Sequence, residues 1–195
     1  WLMPVLIPAL SAVAPGVRLN VVASDPFSDA ERLEAGELDM AVSVAPGGPR
    51  WLEREPLTTM GLTTLWHPAQ LKIDGALAVN TFCDHPHLLV SYREANSSQI
   101  DTLLAKQGLA RYVSYTTPHF AALPGLLATQ PVFATVPAGL AQGWCHTWGF
   151  VAAAVPVEVP PFELSLLWHQ RHNSDPALMW LREFIRSRMA QTGYR

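Results

Sequence analysis

This sequence predicts an α/β fold, one domain or two small lobes, on three observations. Segments of strand and helix character alternate along the chain. The tripeptide Leu-Trp-His occurs twice, at Leu65–His67 and Leu167–His169, each time ending an extended apolar run. The length, 195 residues, lies within the roughly 50–250 typical of a domain.

The elements follow in order. Leu2–Ala14 reads as a helix apolar on nearly every face, hence buried on more than one side, and Pro15-Gly16 stops it. Arg18–Ala23 (RLNVVA) reads as a short strand, Ser28–Ala35 as a helix with Gly36 at its C-cap, and Leu38–Val44 as the next strand. That strand–helix–strand order argues for a parallel sheet. Pro46-Gly47-Gly48-Pro49 is a loop, and Trp51–Trp66 is extended around Gly61. Ser97 or Ser98 caps the helix Gln99–Lys106, with Asp101 at capping-box spacing from Ser98. Tyr112–Thr116 is a strand, Phe120–Thr129 a helix, Val132–Val136 a strand and Ala138–Gln142 a short helical turn. Phe162–Trp168 is a long apolar strand. Asp175 caps the last helix, with Pro176 at its first position and Leu178, Leu181, Phe184, Ile185 and Met189 at helical spacing. If both Leu-Trp-His strands cross together between two lobes, one lobe is the middle segment and the other combines the two ends of the chain.

Composition narrows the function. Thirteen Lys+Arg against sixteen Asp+Glu give a formal net charge of -3, so a free-standing basic nucleic-acid reader is not expected. Hydrophobic residues at 49% argue against disorder. No Asp, Glu, Lys or Arg occurs from Trp1 to Val17 or from Tyr112 to Val157, so something must shelter those stretches. Their prolines and glycines argue against a membrane span. No basic segment precedes the apolar start, so a signal peptide is not expected. Two cysteines far apart, Cys83 and Cys145, suit a reducing cytoplasm better than a disulfide framework.

Motifs for catalysis are absent: no G-x-S-x-G, H-E-x-x-H, S-x-x-K, Walker loop or G-x-G-x-x-G. Cys83-Asp84-His85-Pro86-His87 is the best metal candidate, but no second cluster completes four ligands. It reads instead as a surface turn leading into a strand Leu88–Ser91. Cys145-His146 lacks an orienting carboxylate. The expectation is a non-enzyme with no cofactor and no metal.

Several segments together point to a family. Leu33-Glu34-Ala35-Gly36-Glu37-Leu38-Asp39-Met40-Ala41-Val42 resembles the L-x-x-G-x-x-D-hydrophobic-A-hydrophobic signature of the effector-binding domain of LysR-type transcriptional regulators. The stretch from Leu2 to Leu19 resembles that domain's first helix and second strand, and His87–Ser91 the strand opening its second lobe. Pro160-Pro161-Phe162, Leu167-Trp168-His169, Asp175-Pro176-Ala177, Trp180-Leu181-Arg182 and Pro118-His119-Phe120 are similar to the branch containing nodulation and aromatic-catabolism regulators.

The resemblance implies a type 2 periplasmic-binding-protein-like fold: two Rossmann-like lobes joined by two crossover hinge strands, with a small effector in the cleft. Lobe I would be residues 1–66 plus 168–195, and lobe II residues 67–167. The family's domain begins with a strand before the first helix and is preceded by a winged helix-turn-helix. This sequence starts at the helix, so DNA contact is expected of that other part. The runner-up reading is an extracytoplasmic solute-binding protein of a transporter.

On such a fold the ligand-binding candidates are Ser24, Asp25 and Phe27 on the first lobe's wall and Thr117, His119 and Phe120 on the second. Ser91 and Arg93 lie on a neighbouring rim with the Ser97/Ser98 cap, and Trp66, His67, Trp168 and His169 at the hinges. The set suits a small, partly aromatic ligand: Arg93 offers a fork for a carboxylate, and the tryptophans and Phe120 offer π faces. Bland alternatives stand beside these, with His119 and the serines as caps, the tryptophans as hinge packing and Arg93 as a solvated side chain. Asp25 argues against a nearby carboxylate unless a cation or proton offsets it. The resemblance also implies a homodimer or tetramer, pairing Leu2–Ala14 and Arg18–Ala23 with Phe120–Thr129 and Val132–Val136 of a second copy.

Overall fold

The computed structural model describes residues 1–44, 47–92 and 95–191. Pro46 and Arg93 lie outside the described residues. The chain forms two compact units, one of residues 1–60 with the chain from 162 onward, the other of residues 61–161. It passes from one to the other at Met60–Gly61 and again at Pro161–Phe162, so each Leu-Trp-His lies several residues inside a unit.

The first unit opens with α1 (Met3–Val13), which has a proline in its first turn, where no N–H is missed. Leu2, Leu6 and Leu10, four apart, put one face against Leu166, Phe184, Ile185 and Met189. Burial does not extend all round the helix: Val5, Ile7 and Val13 are exposed. α2 (Asp29–Ala35) ends at Gly36, whose φ of 76° needs a residue without a Cβ. β1 (Met40–Ser43), β2 (Leu52–Met60) and β8 (Phe162–His169) form a sheet in the order β1-β8-β2, antiparallel throughout. α7 (Pro176–Gln191) closes the unit, with Asp175 Oδ1 accepting from Ala177 N and Leu178 N at its start.

Two expectations fail in this unit. Arg18–Ala23 joins no ladder among the described residues. The reason is geometric: a cavity of about 240 Å³ separates Leu19, Val21 and Ala23 from Met40 and Val42 of β1. With no strand in that gap, β1 is an edge, and the sheet is antiparallel rather than parallel.

The second unit contains β3 (Leu62–Trp66), α3 (Val79–Asp84), β4 (Pro86–Val90), α4 (Gln99–Ala105) and β5 (Tyr112–Thr117). A 3₁₀ turn at Phe120–Ala122 leads into α5 (Leu123–Leu127), then β6 (Phe133–Pro137), α6 (Ala138–Trp148) and β7 (Val151–Ala154). The sheet order is β5-β4-β6-β3-β7. β4 runs parallel to both β5 and β6, while β3 is antiparallel to β6 and β7. Alternation along β6 fills both faces. Ala134 and Val136 pack with Leu65, Leu88, Leu123 and Leu127, and Phe133 packs with Trp66, Phe82, Ile100 and Leu104. Full burial of a side chain such as Phe133 contributes about 1.5–3 kcal/mol.

Local expectations change here too. Ala138–Gln142 is the first part of an eleven-residue helix. Cys83 and Asp84 end α3, and His87 is fully buried in β4, so that stretch is not a surface turn. The expected helix Phe120–Thr129 is shorter, because Pro124 fits only its first turn. β6 is flanked by β4 and β3, so it has no free edge for a second copy; β5 and β7 hold the outer edges.

Candidate functional site

Ser24, Asp25 and Phe27 come together ahead of α2. The Ser24 hydroxyl donates to Asp29 Oδ2 at 2.5 Å and lies 3.3 Å from the Ser43 hydroxyl at the end of β1. Asp25 N donates to Asp29 Oδ1, while Asp25 accepts from Phe27 N and Ser28 Oγ. The donors of this turn are thus spent on its own carboxylates, and Asp29, 1% exposed, is satisfied from two sides. The turn holds Phe27 out with 56% of its surface exposed. Trp168 is not part of this group. It pairs with Met40, whereas Ser43 pairs with Ser165, which places it about 10 Å further along the ladder. Its indole N–H donates to Asn173, and the Arg182 guanidinium lies over its ring at 4.5 Å.

In the second unit, Ser91 and Thr117 meet at the carboxyl ends of β4 and β5, where Ser91 N donates to Thr117 O at 3.0 Å. The Thr117 hydroxyl accepts from His119 N, and Ser91 Oγ accepts from Ala95 N. His119 is exposed and its side chain caps nothing, while Phe120 packs on the core. Trp66 and His67 lie elsewhere. β3 runs antiparallel to β6, so its last residues sit at the level where β4 begins, at the opposite end of the sheet. Trp66 is 4% exposed, with its edge against Phe133, and His67 meets Phe150 edge-on. Arg93 is outside the described residues.

One part of this edge is not expected from the sequence. β4 has β5 on one side and β6 on the other, and the chain reverses winding between them. In open α/β sheets the crevice beyond the carboxyl ends at such a point is where ligands bind. Its other bank is Pro137, Ala138 and Gly139, where β6 turns directly into α6 and Ala138 N donates to Gly61 O. The available signal was Pro137 directly after an apolar strand.

Ser98 is committed to structure. It accepts from Ile100 N and Arg111 and donates to Asp101, completing the capping box of α4. Arg111, 1% exposed at its side chain, pairs with Asp101 at 2.9 Å and reaches His87 Nδ1 at 3.3 Å. Since Arg111 only donates, His87 Nδ1 accepts and Nε2–H donates to Phe82 O at 2.7 Å. Burial, with the Arg111 charge in the same direction, pushes His87 down to about 4. Burial would raise the Asp101 carboxyl, but the hydrogen bonds and charge of Arg111, with Ser98, hold it below the usual range. Burial raises both cysteine thiols, the reverse of an activated nucleophile. Among the described residues no group of three His, Cys, Asp or Glu is placed to hold a metal, and no helix is long and apolar enough to cross a membrane.

Comparison with known proteins agrees with this architecture. Residues 1–190 match the sequence model of the LysR substrate binding domain. The HTH-type transcriptional activator NahR of Pseudomonas putida is 26% identical over 95% of this chain, which spans 62% of that protein's length. The regulatory domain of MexT, a transcriptional activator in Pseudomonas aeruginosa, is 33% identical with a TM-score of 0.83, over 96% of this chain and 90% of that one. The effector-binding domain of QuiR in complex with shikimate shares the fold at 16% identity, with a TM-score of 0.71 over 97% and 90% of the two chains. With two α/β units linked by two crossings and a match along nearly the whole chain, this protein belongs to the LysR substrate-binding domain family.

Proposed function

We propose that the chain is the effector-sensing and dimerisation part of a LysR-type transcriptional regulator, that it makes no chemical change in its ligand, and that DNA contact belongs to another part of the protein. The observation that carries the sensing role is the change of winding at the carboxyl ends of β4, β5 and β6, where Ser91, Thr117, His119 and Pro137–Gly139 lie. Within the first unit, the Ser24–Phe27 turn offers Phe27 as an exposed apolar face. Trp66 and Trp168 are read as packing residues.

A thermal-shift screen of the purified domain against small aromatic acids, phenols and other small organic molecules tests this. A ligand at 100 times its dissociation constant stabilises a fold by about 2.7 kcal/mol. Saturable stabilisation by one compound class, lost in Thr117→Val, is the expected result. No shift across a chemically broad panel would contradict the sensing role, and turnover of a bound compound would contradict the non-catalytic one.

For self-association we propose the exposed apolar side of α1 with Val21 and Val22, against the outer edge of β5. Tyr112 and Tyr115 are exposed there, and neither α1 nor β5 carries an ionised side chain to keep a partner away.

A further inference from the structure

We propose that His169, Arg171 and His172 form a proton-sensitive clamp that holds the C-terminal end of α2 only while both imidazoles are neutral. Every helix leaves its last carbonyls without partners. Here Arg171 supplies them from 137 and 138 residues away: Nη1 donates to Glu34 O at 3.0 Å and Nη2 to Leu33 O at 2.5 Å. A Cβ on Gly36 would lie 3.4 Å from Nη2, in ordinary van der Waals contact with the guanidinium.

The two histidines hold Arg171 in place by accepting. Arg171 N donates to His169 Nδ1 at 3.0 Å, and Arg171 Nε donates to His172 Nε2 at 3.2 Å. A backbone N–H and a guanidinium N–H can only donate, so both ring nitrogens carry lone pairs. His169 is fixed further by stacking on Trp51 at 4.7 Å, and Gln170 N donates to Trp51 O. Protonating either imidazole places a donor against a donor and adds a positive charge beside the guanidinium.

The surrounding charges are mixed. Glu34 lies on α2, Glu53 on β2 accepts from Asn173, Asp175 caps α7, and Arg182 donates to His172 O. Arg32 of α2 is engaged with Ala23 O and Glu37. At these exposed positions charge repulsion is screened, and the hydrogen-bond polarity decides the outcome. Release would leave Glu34 O to water and Leu33 O with Gly36 N alone, at 3.3 Å. The other end of α2 carries Asp29 and the Ser24–Phe27 turn, so proton uptake would reach the effector wall; that last step alone rests on the proposed function.

Nuclear magnetic resonance on the ligand-free domain, taken from pH 8 to pH 5.5, tests the clamp without reference to any effector. The imidazole carbon shifts of His169, assigned with His169→Gln, should move together with the amides of Arg171, Glu37 and Leu38. The response of Glu37 and Leu38 should disappear in Arg171→Gln and in the His169→Gln/His172→Gln double variant. Glu37 and Leu38 amides that stay still while the His169 imidazole takes up its proton would overturn the clamp. So would an unchanged pH response in the double variant. A clamp that works in a domain binding no effector would leave this inference standing and remove only its link to the wall.

Discussion

His87 offers the deepest test of the second unit's interior. It is fully buried, its Nε2–H donates to Phe82 O, and the Arg111 guanidinium occupies Nδ1, so the folded state keeps the ring neutral down to about pH 4. In the unfolded chain the same ring takes a proton near 6.5. Between these values the unfolded state binds a proton that the folded state refuses, so stability falls as pH falls. Each pH unit in that window is worth about 1.4 kcal/mol, giving about 2 kcal/mol lost by pH 5 and about 3 kcal/mol by pH 4. Asp101, held below the usual carboxylate range, adds a loss of the same sign at lower pH.

His87→Gln keeps a donor for Phe82 O and removes the titration. Urea unfolding of both proteins at intervals from pH 7.5 to pH 5, followed by circular dichroism, reads the difference. The variant should be less stable at pH 7.5, by about 1–3 kcal/mol for imperfect packing and hydrogen bonding. Its disadvantage should then shrink by about 2 kcal/mol at pH 5. Parallel stability curves would show that His87 is not held neutral and would refute the reasoning.

Other expectations concern separate parts of the fold. Arg111→Met removes the buried cation from Asp101, which keeps its Ser98 hydrogen bonds, with an expected loss of about 1.5–3 kcal/mol in urea unfolding. Gly36→Ala should cost about 1 kcal/mol or more in thermal unfolding, because φ of 76° strains any Cβ and this one meets Arg171. Val21→Asp or Tyr115→Asp should shift an oligomer toward monomer in size-exclusion chromatography with little change in unfolding midpoint, whereas Ala134→Asp, inside β6, should prevent folding.

Where local chemistry decided the outcome, the sequence carried it. Ser98 with Asp101 marked the start of α4, Asp175 with Pro176 that of α7, and Gly36 the end of α2; each is a cap that acts within one turn.

What was not legible depended on distant partners. Arg18–Ala23 has strand composition, but a strand needs a neighbour, and across the cavity it has none among the described residues. Val151–Ala154 is mostly alanine and reads as nothing in particular; it becomes a strand by pairing with β3. The helix α6 runs on through Gly143 because its apolar side lies over the sheet. His87 looked like part of a surface turn because nothing adjacent to it announces Arg111, which approaches from 24 residues away. The candidate site divided in the same way. Ser91, Thr117 and His119 followed from the strand–helix order, whereas the placement of Trp66 away from them, and of Trp168 away from the Ser24–Phe27 turn, followed only from the antiparallel register of β3 and β8.

The crystal structure of the domain with the most stabilising compound from the screen tests the central claim most directly. The account predicts electron density for that compound beyond the carboxyl ends of β4 and β6, within hydrogen-bonding distance of Ser91, Thr117 or the start of α6. Density confined to the far end of the sheet, beside Trp66 and His67, would contradict it.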